Sequence, residues 1–167
     1  MNPDSNLTAL ARNNRTCMIA HTATAGVMLL LLFLQAATRG INPAVLTISC
    51  ILGIAPVAAE LLYWRKNHET TAIRHLVGNG FAVFFTFYIY TSTTFMASVF
   101  VIPMIVVISL YNNKKFSLLV NTGVVIETII LAVIGIQSGK YSYPDSDTAI
   151  IHVIFVILVA VYSYITS

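Results

Sequence analysis

Six apolar stretches divide the chain, each closed by a short polar break. A membrane-crossing helix needs about 20 mostly apolar residues. On that length the pattern predicts helices over 17–37, 44–64, 73–90, 95–111, 116–136 and 148–165. The third and fourth form a hairpin from which the rest can be oriented. Its tip, Thr91, Ser92, Thr93 and Thr94, is polar but uncharged, and its second arm returns to Asn112, Asn113, Lys114 and Lys115. The other breaks are also brief, at 38–43, 65–71 and 137–147. None can hold a folded domain, so an external stimulus has to act within the bundle, at its mouth or through the lipid. Residues 1–16 are polar and Asn-rich, and read as a cytoplasmic segment ahead of one bundle, 17–167.

Composition supports the span reading. Of 167 residues 57% are hydrophobic and 9% charged. A soluble domain carries about 25% charged residues to cover its surface. The expected class is therefore all-α, a polytopic membrane protein with six transmembrane helices. Lys and Arg set the orientation. With the N-terminus inside, Arg12, Arg15, Arg65, Lys66, Arg74, Lys114 and Lys115 all fall on the cytoplasmic side, against Arg39 and Lys140 outside. Basic residues in short loops resist translocation, so both termini are expected in the cytoplasm. That placement discounts the glycosylation patterns at Asn6 and Asn14, which act only in a secretory lumen. Cys17 and Cys50 lie in apolar stretches and read as inert thiols. No cofactor or nucleic-acid partner is called for; the lipid bilayer is the expected partner.

Few residues offer chemistry. Glu127 lies near the middle of the fifth predicted helix, where a charge is costly and normally faces the bundle. It reads as an intramembrane polar switch, a proton or cation site, or a neutral carboxyl bonded to a neighbouring helix. Asn121, six residues earlier, lies nearly opposite it and addresses another neighbour. Glu60, near Trp64 and Arg65, reads as a side chain snorkelling to the interface. His21 and His152 lie at opposite depths, which disfavours a shared metal. The outer mouth gathers Tyr88, Tyr90, Thr91, Thr94, Tyr141, Tyr143, Asp145 and His152. Aromatic walls with hydroxyls and carboxylates suit a small ligand, cations included; the same residues also suit an aromatic belt. Pro56 and Pro103 are expected to kink the second and fourth helices, and Ala55 with Ala59 or Gly135 with Gly139 to allow close helix contacts. There is no Walker-type loop, HExxH or GxSxG, so the chain does not read as an enzyme.

Asn13, Asn14 and Arg15 lead into six tight spans. Tyr88 and Tyr90 precede the Thr-Ser-Thr-Thr turn, Pro103 follows in the fourth span, and Tyr-Asn-Asn-Lys-Lys closes it. In this layout the chain resembles the six-span sensor region at the N-terminus of bacterial methyl-accepting chemotaxis proteins of the Firmicutes type. The resemblance implies the bacterial cytoplasmic membrane, a homodimer, and a last helix that relays a stimulus to a cytoplasmic output domain. Similar regions precede histidine kinases and diguanylate cyclases. The last stretch ends at Ser167 without a basic stop, which reads as a helix cut in mid-course. A small proton- or cation-coupled transporter or channel using Glu127, or a structural subunit without a ligand, are the rival readings.

Overall fold

The computed structural model describes residues 8–92, 94–139 and 143–167. Helices α1 (Ala9–Arg39), α2 (Pro43–Lys66), α3 (Ala72–Thr91), α4 (Val101–Ser109), α5 (Lys114–Ser138) and α6 (Ser146–Ile165) follow in order, with a 3₁₀ helix, Phe95–Phe100, ahead of α4. No strand occurs among the described residues. Among the described residues five helices are long and apolar enough to cross a membrane, and Phe95–Ser109 is a shorter apolar one. The chain divides into two compact units, Met1–Phe84 and Phe85–Ser167.

The helix surfaces are inverted relative to a water-soluble protein. Along α1 the buried stripe Asn14, Cys17, His21, Thr24, Met28 and Leu32 recurs at helical spacing. Ile19, Leu30, Phe33 and Leu34 face outward. Asn14, His21, Ser49, Glu60, Asn121, Ser117, Thr128 and Ser163 are buried, while large aliphatic side chains cover the outside. In hydrocarbon the polar groups must find partners inside and the apolar ones need none. These surfaces are those of a multi-pass membrane protein.

The first unit packs α1 against α2 and the first part of α3. Helix α1 begins at Ala9, capped by the Thr8 hydroxyl on the amide of Ala11, eight residues before the start that hydrophobicity predicts. The polar residues 9–16 thus continue the helix, and Asn14 is fully buried. Its side-chain amide donates to the carbonyls of His68 (2.9 Å) and Thr70 (3.0 Å), tying down the loop between α2 and α3. Both acceptors are loop carbonyls that lie outside the two helices. Asn14→Ala is expected to free this loop and raise tryptic cleavage after Arg65 and Lys66 about tenfold, the equivalent of roughly one hydrogen bond. Unchanged cleavage in a folded variant contradicts that role.

Pro56 sits inside an unbroken α2, against Gly80 of α3. This pair, rather than Ala55 and Ala59, makes the close helix contact. Ala55 is exposed and Ala59 half-buried, and both line a groove.

The second unit holds the end of α3, the 3₁₀ helix, α4, α5 and α6. Pro103 produces a change of helix type rather than a mid-helix kink. Its ring excludes the carbonyl four residues back, that of Val99, from an α-helical ladder. The chain is 3₁₀ through Phe100 and α-helical from Val101, so Pro103 lies in the first turn of α4. The 3₁₀ rise of about 2.0 Å per residue stretches these 15 residues to roughly 25 Å, against a hydrocarbon core of about 30 Å. Gly139, in the left-handed conformation at φ 66°, ends α5 by donating to Gly135. It is a helix cap and not half of a packing pair.

Candidate functional site

The expected outer mouth lies wholly in the second unit, and its residues divide into two groups. Thr91, Thr94 and Asp145 serve the backbone. The Thr91 hydroxyl donates to the carbonyls of Phe87 and Tyr88. Thr94 caps the 3₁₀ helix through the amide of Met96. Asp145 caps α6 by accepting from the amide of Thr148 at 2.6 Å. That bond and the Thr148 side chain hold its carboxyl below the usual carboxylate range. The cap is therefore complete above the ordinary carboxylate pKa and is lost as pH falls through the lowered value. Tyr88 is buried with its ring edge-on to Phe100, and Tyr90 is half-buried near the end of α3. Tyr141 and Thr93 lie outside the described residues.

Tyr143 and His152 do meet, around two residues that the sequence did not mark, Phe95 and Ser98. These are three apart in a 3₁₀ helix, where positions i and i+3 eclipse, so one face presents both. The ring of Phe95 stacks on Tyr143 at 4.7 Å. The Ser98 hydroxyl lies 2.6 Å from Nε2 of His152, and the Tyr143 hydroxyl 2.8 Å from Nδ1. Ser98 also lies 2.6 Å from the carbonyl of Phe95. One proton arrangement satisfies all three bonds. Tyr143 donates to Nδ1, Nε2–H donates to Ser98, and Ser98 donates to Phe95. The imidazole is thereby fixed in one tautomer, and the hairpin tip is joined to α6.

From His152 a single stripe continues down α6 through Val156, Ala160 and Ser163. It is narrow and partly polar, while Ile151, Phe155, Leu158 and Tyr162 face away. Small residues allow close approach, and three bonds use it. Asn121 of α5 donates to the carbonyl of Ala160 at 3.0 Å, and Ser163 donates to the carbonyl of Ile105 in α4 at 2.9 Å. The Ser167 hydroxyl, just past the end of α6, lies 2.9 Å from that of Ser117 in α5. Glu127 turns elsewhere. It is half-buried on α5 and hydrogen-bonded to the side chain of Thr86 in α3, with Oε1 unpartnered. Asn121 and Glu127 thus address different neighbours.

The first unit holds a pair that sequence reasoning separated. Glu60 does not snorkel; it is 0% exposed, and so is His21. His21 Nδ1 and Glu60 Oε1 are 2.6 Å apart. Phe81 of α3 stands edge-on to the imidazole at 5.9 Å, and Cε1 faces Gly80. Nε2 of His21 and Oε2 of Glu60 are buried without partners. Trp64, one turn beyond Glu60, stacks on His68 at 4.2 Å instead of closing over the carboxyl. The depth arithmetic did contain a signal. Glu60 lies five residues before Arg65, and His21 six after Arg15. With both arginines at one membrane face, that places both side chains about 8–9 Å in.

Cys17 is buried and Cys50 half-buried, both as free thiols. No protein-family profile, curated protein or solved structure matches the chain.

Proposed function

We propose that this chain is the sensory region of a bacterial signal transducer in the cytoplasmic membrane, with both termini inside, in which α6 carries a stimulus from the outer mouth. The observation that supports this reading is the single stripe on α6. At one end His152 is held by Tyr143 and Ser98. Toward the other, Asn121, Ser163 and Ser167 bond along the same face. His152 to Ser163 spans about 16 Å of helix. Polar bonds to backbone carbonyls have discrete alternatives, one residue or one turn away. A ligand that competes for Tyr143 or His152 therefore biases α6 between registers instead of bending it.

The test joins the chain after Ser167 to a cytoplasmic coiled coil that controls a kinase, and reads kinase output. Tyr143→Phe and His152→Leu are expected to shift the basal output, and Ser163→Ala to shift it with the mouth intact. Output indifferent to all three, with α6 still cross-linking to α5 through engineered cysteines, overturns the reading.

The buried His21–Glu60 pair favours a second reading, proton-coupled transport, in which this pair or Glu127 carries the proton. It requires proton flux in proteoliposomes that Glu60→Gln or Glu127→Gln abolishes. The sensor reading requires none.

A further inference from the structure

A groove of about 710 Å³ runs along the first unit between α2 and α3. Two stripes border it. Ile51, Ala55, Ala59 and Tyr63 follow one face of α2; Ala72, His75, Asn79 and Val83 follow one face of α3. Pro56 and Gly80 form its floor, where the helices touch. The groove exists because small residues interrupt an otherwise bulky outer surface. Ile54, Leu61 and Leu62, beside it on α2, are large and exposed, whereas Ala55, Ala59 and Gly80 cannot fill the space between the helices.

The groove is graded along its length. Its far end, at Ile51, Leu52 and Val83, is wholly apolar. Its near end reaches Tyr63 and His75, beside the loop at 67–71. Ile51 to Tyr63 covers about 18 Å of helix, close to the roughly 15 Å depth of one leaflet's hydrocarbon. Charge is concentrated at the polar end. Lys66, three residues past Tyr63, continues the groove face of α2 and is exposed, Arg74 lies 3.5 Å from His75, and Glu69 is the acid of that loop.

We propose that this groove binds an anionic phospholipid, one acyl chain lying between α2 and α3 and the phosphate held at Lys66 and His75. A uniformly apolar tail fits the far end, and an anion fits the basic end. Juxtamembrane clusters of Lys and Arg attract anionic headgroups for the same electrostatic reason. A zwitterionic lipid satisfies the groove but gains nothing from the net positive charge at its mouth.

Native mass spectrometry of the full chain tests this after incubation with equal phosphatidylglycerol and phosphatidylethanolamine in mild detergent. The wild type is expected to retain phosphatidylglycerol. Ala55→Phe fills the groove from an exposed position and is expected to lose it. Lys66→Gln leaves the groove open and is expected to weaken retention about fivefold. Ile54→Phe, exposed on the neighbouring face and outside the groove, is expected to change nothing. Equal retention of the two lipids overturns the proposal, and so does phosphatidylglycerol retained by Ala55→Phe as by wild type. A wild-type dimer that Ala55→Phe converts to monomer also overturns it, by assigning the groove to a second copy. Lys66 is remote from the helix packing, so its result stands even where Ala55→Phe fails to fold.

Discussion

His21→Leu is expected to lower the unfolding free energy of the detergent-solubilised protein by roughly 3–5 kcal/mol, and Glu60→Leu by a similar amount. Each single change leaves one member of a fully buried polar pair facing apolar neighbours. Glu60 then has two carboxyl oxygens without partners instead of one. His21 has Phe81 on one side and Gly80 on another, and neither supplies a replacement bond. The double variant His21→Leu with Glu60→Leu removes both polar groups together and is expected to recover most of the loss, because apolar isosteres in place of a buried pair are often neutral or stabilising. The double-mutant cycle, read by thermal or denaturant unfolding, isolates the coupling. Strictly additive single effects below about 1 kcal/mol contradict a paired structural role. A stable, folded Glu60→Leu protein that has lost proton flux moves the pair from structure to transport.

Why the sequence hid this pair, while showing the spans, is a matter of what each signal depends on. Span positions depend on local hydrophobicity, and the helices fall close to where the apolar stretches put them. The exception is the start of α1, because Asn13, Asn14 and Arg15 look like solvent-facing residues. Asn14 is instead buried by carbonyls 54 and 56 residues away. Glu60 looked interfacial because Trp64 and Arg65 follow it, and only the arrival of His21 from another helix makes the position internal. The mouth divides for a related reason. Thr91, Thr94 and Asp145 are short polar side chains at helix ends, where capping uses their oxygens first. An α-helical reading of 95–111 gives no reason to single out the Phe95–Ser98 face, and so does not mark Ser98. Pro103 carries the signal, because a proline in the first turn of α4 marks where the α-helical ladder begins and the 3₁₀ segment ahead of it stops.

Gly80 carries the second large effect. A Cβ there would lie 2.5 Å from Cβ and 3.0 Å from Cγ of Pro56. Carbon atoms in contact sit about 3.5–4.0 Å apart at their optimum, and the atoms that would have to yield belong to a rigid ring in the middle of α2. The helices themselves must part. Gly80→Ala is expected to cost about 1–3 kcal/mol by overpacking, although alanine is the better helix former. Gly80→Val, which adds β-branching, is expected to leave little folded protein. Gly53→Ala makes a useful contrast. Its Cβ would meet the terminal methyl of Leu29 at 3.1 Å and the rim of Phe84 at 3.2 Å, and the leucine can turn away. Gly26 and Gly123 have nothing within 4 Å; alanine there is expected to be neutral or stabilising by up to about 1 kcal/mol. The decisive variant combines Gly80→Ala with Pro56→Gly. Removing the proline Cβ and Cγ clears the space that the alanine needs, so the pair is expected to be less unstable than the sum of its parts despite a glycine inside α2. Additivity in that cycle, or a Gly80→Ala melting temperature at or above wild type, would mean that α2 and α3 do not meet at this contact. It would also remove the floor of the groove proposed to hold lipid.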